Sequence, residues 1–163
     1  MKKINSQKGF TLVEVMVALT ILSMAGVSLY YVLSVNLTRA FFARNQLIAS
    51  NLCQEGLEIT RNVRDYDWFA ENPFGTSIYQ GTYIVSWDSD VLTSVNLEDV
   101  PFLKKNASGF FDYVSSQDSM FKRVVTITDV SGYEKKVLSE VTWRDRNRDY
   151  TVSAELHLFN WNQ

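Results

Sequence analysis

The chain has 163 residues, with 16 Lys+Arg against 18 Asp+Glu, one His and one Cys, and 46% of its residues are hydrophobic. That length allows one domain of ordinary size beside an extended helix, and the slightly acidic balance does not fit a nucleic-acid binder, whose footprint is a concentration of Lys and Arg. The lone Cys53 excludes an intrachain disulfide, so a folded domain here has to be held by packing.

The charge is unevenly placed. Lys2, Lys3 and Lys8 carry all the charge of the first nine residues, and without those nine the net charge moves from −2 to −5. Between residues 10 and 38 the only charged residue is Glu14, and residues 15–37 are 23 consecutive uncharged positions. As a helix they are long enough to cross a hydrocarbon core about 30 Å thick. Positive charge ahead of such a run sets the N-terminus on the cytoplasmic side and the remainder outside. Glu14 then sits in hydrocarbon at a cost of about 2.5–3.5 kcal/mol on insertion scales, which calls for a compensating partner. Helical spacing places it one turn from Phe10. A cut after Gly9 would therefore bring a new α-ammonium to the depth of this carboxylate, and an acid in the first turn also complements the helix dipole. The competing reading is a secretory signal peptide cut near Ser23, Ala25 and Gly26. Its apolar region is too long, since signal peptides carry about 7–15 such residues.

The run Lys8-Gly9-Phe10-Thr11-Leu12-Val13-Glu14 resembles the processing site of type IV prepilins and of the pseudopilins of type II secretion and competence systems. The resemblance implies that residues 1–9 are a basic leader, removed by a prepilin peptidase between Gly9 and Phe10. It also implies that Phe10 is N-methylated and that Glu14 is the acid used in assembly. Residues 10–38 would be the transmembrane and assembly helix of a single-pass inner-membrane protein, its C-terminal domain outside the cytoplasm, that becomes an extracellular or periplasmic filament. Its partners would be the peptidase, other pilin or pseudopilin subunits and the inner-membrane assembly platform. Many Gram-negative pilins close a loop with a disulfide, which the single Cys53 here does not allow. Major pilins commonly carry a Pro partway along the apolar helix, where this chain has Tyr30-Tyr31. The run Glu14-Val15-Met16-Val17-Ala18-Leu19 is similar to that of the minor pseudopilins, and Leu52-Cys53-Gln54-Glu55-Gly56-Leu57-Glu58 to the helix of minor pilins. A minor structural subunit is the first expectation, and a pilus-associated binding module, an adhesin or DNA-uptake pilin, is the alternative.

No Pro occurs before Pro73, and Gly26 and Gly56 are the only glycines between residues 10 and 65, so the helix is expected to continue as an amphipathic segment over 39–66. There Leu37, Phe41, Ile48, Leu52, Ile59 and Val63 share one arc at 100° per residue, with Arg39, Gln46, Arg61 and Arg64 on the other side and Leu57 roughly opposite. The stripe requires a sheet to cover it. Gly56 at its edge either admits a closely approaching strand or faces solvent. Glu55 and Glu58 are spaced as surface charges beside Arg61 and Arg64.

Residues 67–163 read as a sheet domain, and the chain as an α+β fold: a long N-terminal helix packed on an antiparallel sheet of about four strands. Asn72-Pro73 and Gly75 break the helix. Strands are expected at 81–87, 121–128, 136–143 and 150–159, the last two alternating cleanly between apolar and polar faces. Turns fall at 129–132 and 145–149, which makes a meander. The aperiodic stretch 88–119 reads as a loop.

Three groups could carry chemistry. Asp88, Asp90, Glu98 and Asp99 are calcium-type ligands, but the EF-hand pattern fails at Leu92 and Thr93, so no metal is expected. Arg144, Arg146 and Arg148, flanked by Trp143 and Tyr150, could touch a nucleic-acid strand. Asp145 and Asp149 offset two of the three charges, and a solvated hairpin tip is expected. His157 has no second histidine or thiol nearby in sequence and sits on the more polar face of its strand, so a structural or solvent-exposed role is expected. Without a nucleophile motif, phosphate loop or ligand spacing, neither enzymatic activity nor a cofactor is expected.

Overall fold

The computed structural model describes residues 9–160, so Lys2, Lys3 and Lys8 of the expected leader lie outside the described residues. The fold is α+β, one helix α1 (Leu12–Phe69) followed by antiparallel strands. The chain divides into two compact units, Met1–Arg44 and Asn45–Gln163.

In the first unit α1 carries the apolar run. Its most apolar 18-residue window has a mean hydropathy of 2.1 and none of it is buried. Leu22, Val27 and Tyr30 are all exposed, a surface that water disfavours by about 25 cal/mol per Å² and that lipid or neighbouring helices can cover. The hydroxyls on this segment donate back to their own helix: Thr20 to the Met16 carbonyl at 2.8 Å, Ser23 to Leu19 at 2.7 Å and Ser28 to Met24 at 2.9 Å. A segment in hydrocarbon has to satisfy its polar groups internally in this way.

In the second unit the rest of α1 packs on a sheet of β1 (Gly81–Ile84), β2 (Thr93–Ser94), β6 (Phe121–Ser131), β7 (Glu134–Asp145) and β8 (Arg148–Phe159), in the order β2-β1-β6-β7-β8. Leu57, Ile59 and Val63 enter one core with Val125, Val137 and Leu158. The expected alternation in β7 holds, with Val137, Ser139, Val141 and Trp143 buried. The stretch 88–119, expected as a loop, also contains a short 3₁₀ turn (Leu97–Asp99) and a small sheet of β3 (Lys104–Lys105), β4 (Phe111–Asp112) and β5 (Gln117–Asp118), ordered β4-β3-β5. Strands of two residues are too short to leave a period in the sequence. The first expected strand stops at Ile84 because Ser86 and Ser89 close a turn, the Ser89 amide donating to the Ser86 carbonyl at 3.0 Å.

Three expectations for the helix need correction. It ends at Phe69, past residue 66, in a Schellman arrangement: the Asn72 amide bonds the Asp67 carbonyl at 2.9 Å and the Glu71 amide bonds that of Trp68 at 3.1 Å. Glu71, at φ 57, holds the left-handed position usually given to Gly, so no Gly marked the stop. Leu37 and Phe41 are 61% and 60% exposed, and the buried face begins at Ala49. Leu57 is buried alongside Leu52, Ile59 and Val63, because the sheet covers an arc of about 160° at 100° per residue and not a narrow stripe. The β6–β7 and β7–β8 hairpins turn at Gly132-Tyr133 and Arg146-Asn147. Arg146 (φ 47) and Asn147 (φ 66) both take left-handed backbone, the conformation of a type I′ turn.

Candidate functional site

The first turn of α1 is built by Thr11. Its carbonyl accepts the first helical bond, from Val15 at 3.2 Å, and its Oγ1 accepts the Glu14 amide at 3.2 Å. Thr11 is therefore the N-cap and Glu14 the third helical residue, the spacing of a capping box. The cap fixes where the helix starts. Gly9 and Phe10 stay outside it in non-helical backbone, which corrects the expected helix start at residue 10 and the helical spacing of Phe10 to Glu14; Phe10 is 82% exposed, and a Cβ added at Gly9 would meet nothing within 4 Å. The Gly9–Phe10 bond is thus exposed, next to the start of a defined helix. Among the described residues nothing pairs with the Glu14 carboxylate. It is the one charge on an apolar surface, available to a cation that α1 does not supply.

The other singled-out groups are dispersed. Asp88 accepts the Ser86 hydroxyl at 2.8 Å, and Glu98 and Asp99 sit in the 3₁₀ turn. Among the described residues no three His, Cys, Asp or Glu side chains are grouped to hold a metal. At the β7–β8 tip Arg144 donates to Asn147 Oδ1 at 2.7 Å and lies 3.7 Å from Asp149, while Trp143 is buried and stacks on Tyr150. An aromatic buried in this way offers no stacking face to a nucleic-acid base. His157 lies between two carboxylates, Nδ1 at 2.6 Å from Glu134 and Nε2 at 3.0 Å from Glu155. Its hydrogen bonds to Glu134 and then Glu155 raise its pKa, and those from Lys136 and His157 lower that of Glu155.

The sequence reading missed Arg123. It occupies an inward position of β6 between Phe121 and Val125, where an apolar residue is the rule, and it is fully buried. Nη1 donates to the Leu52 carbonyl at 3.1 Å and to Glu55 Oε1 at 2.7 Å, and Nη2 donates to the Val85 carbonyl. Glu55 is thus the partner of a buried cation, which corrects its reading as a surface charge, while Glu58 pairs with Arg61 on the surface as expected. Gly56 makes room for this joint: a Cβ there would meet Ser139 Oγ at 2.7 Å and Arg123 Cδ and Val125 Cγ2 at 3.3 Å. The close-approach reading of Gly56 is the right one. Cys53, beside it, donates to the Val152 carbonyl at 3.1 Å, and burial pushes its thiol pKa up, away from the reactive thiolate.

Residues 4–30 match the family model of the prokaryotic N-terminal methylation motif. No curated protein and no solved structure matches the chain.

Proposed function

We propose that this type IV prepilin-like chain is a minor structural subunit of a type IV pilus or type II secretion-like pseudopilus. A prepilin peptidase cuts it after Gly9, Phe10 is N-methylated, and the helix then leaves the membrane to pack among those of neighbouring subunits. Its role is to be processed and assembled, not to catalyse. The observation that carries this reading is the methylation motif joined to Glu14, whose carboxylate pairs with nothing among the described residues, in the first turn of an exposed apolar helix. In a filament that carboxylate can neutralise the N-terminal ammonium of an adjacent subunit, in a low-dielectric surrounding where a paired charge is tolerated and an unpaired one is costly. The minor assignment is supported by the uninterrupted helix from Leu12 through Tyr30-Tyr31, where a Pro would remove a backbone hydrogen bond. Mass spectrometry of the mature N-terminus tests the processing. An N-methylated Phe10 is expected, whereas a chain starting at Met1 or cut near Ala25 defeats the assignment. Quantitative proteomics of purified fibres tests the rank of the subunit, which fails if this chain is the most abundant one.

A further inference from the structure

Within the second unit a groove of about 620 Å³ runs between α1 and the turn that follows β1. Its apolar lining is mainly Tyr66, Trp87 and Val91, which are 69%, 44% and 66% exposed, above the nearly buried Ile59 and Val63, and Asn62 and Ser89 add polar groups. Exposed aromatic and apolar side chains gathered around a concave floor are unusual on a folded surface and mark contact sites. The groove is also held in shape. The Trp87 ring stacks on Phe110 at 5.0 Å and 25°, and the Ser86 amide donates to Ser89 Oγ at 2.8 Å within the turn. Such a surface loses little entropy when it is covered.

The rim gives the sign of the partner. Asp88 and Asp90 line the groove, and among the described residues no cation forms an ion pair with either, although the same unit pairs Asp129 with Lys135 and Glu155 with Lys136. We propose that this groove docks a cationic, apolar-flanked segment of an adjacent, different pilin-like subunit, its aliphatic or aromatic side chain among Tyr66, Trp87 and Val91 and its Lys or Arg against Asp88 and Asp90. This rests on the subunit reading above, and it places a specific side-by-side contact outside the apolar helix. A minor subunit needs such a contact, since apolar helices are much alike and recognition of one neighbour over another depends on complementary charge and shape.

The test uses the full chain in its own cells, with a photo-crosslinking amino acid at Val91 and sheared fibres as the sample. The expected product joins Val91 to a pilin-like subunit other than this chain, at a peptide with Lys or Arg beside an apolar residue. Asp88→Lys/Asp90→Lys and, separately, Tyr66→Ser should each lower that cross-link about tenfold or more, the loss of one strong interface residue. Both alter exposed positions, so Gly9 cleavage and membrane levels should stay at wild type. Reversing the basic residue found on the partner should restore the cross-link to the Asp88→Lys/Asp90→Lys chain. Wild-type chain present in fibres with no cross-link from Val91, a cross-link only to another copy of itself, or variants that cross-link as wild type would each overturn this inference and leave the subunit reading standing. Absence of the wild-type chain from fibres overturns both.

Discussion

Replacing Arg123 by Met tests the buried joint between helix and sheet. The methionine fills most of the space of the arginine stem, so the change removes hydrogen bonds and charge more than volume. Breaking a buried pair by removing one member generally costs about 3–5 kcal/mol, but the Glu55 side chain is 32% exposed and can rehydrate. The Leu52 carbonyl lies within α1 and has the helical ladder to fall back on. The Val85 carbonyl belongs to a residue only 1% exposed, and stranding it costs about 1–3 kcal/mol. Arg123 Nε already lacks a hydrogen-bond partner among the described residues, which trims what the wild type gains. Together these give a loss of about 2–4 kcal/mol. At about 2 kcal/mol/M the urea midpoint of a soluble piece starting near residue 36 should fall by about 1–2 M. Glu55→Gln should also destabilise, because it leaves the guanidinium without a counter-charge. The double variant should lose less than the two single losses together, by about 1–3 kcal/mol. A midpoint within error of wild type for Arg123→Met, or strictly additive losses, would refute the account of Arg123 as a coupled clamp.

Other outcomes follow from the same geometry. Glu14→Ala should insert and be cleaved normally yet be missing from sheared fibres, and Gly9→Val should leave full-length precursor in the membrane on immunoblots. Ile59→Ala and Leu57→Ala should each cost about 2–5 kcal/mol in the same urea experiment, since both lie in the core; a Leu57 loss near zero would restore the narrow stripe. Glu71→Gly should stabilise by about 1 kcal/mol, relieving a left-handed residue that carries a Cβ. The pKa of His157 is raised in the fold, so its contribution is complete below the unfolded value near 6.5 and is lost as pH rises through the folded pKa. Glu155 is lowered, so its contribution is present above about 4.5 and fades as pH falls through its folded pKa. A plot of Tm against pH should flatten above pH 6.5 in His157→Gln, and an unchanged slope there would exclude the histidine as its source.

Features that depend on local chemistry and on period were legible in the residue order alone. A 23-residue uncharged run with a single acid at its start is visible without any tertiary contact, because membrane insertion is decided by the segment's own composition. The alternation of β7 and β8 was equally legible, since a half-buried strand has to place every second side chain inward. The end of the helix was not, because the Schellman turn was made with Glu71 where sequence reading looks for Gly. The width of the buried helical face depended on how much sheet lies over it, which no helical wheel contains, and so Leu57 was misplaced. Arg123 and Glu55 are 68 residues apart, and Glu55 taken with its helical neighbours reads as a surface charge. Only the packing of β6 against α1, at the gap left by Gly56, buries the Arg123 guanidinium within hydrogen-bond reach of the partly exposed Glu55, at a place where a lone charge could not stay. The groove beside Trp87 is of the same kind, formed by a helix face and a turn that share no sequence pattern.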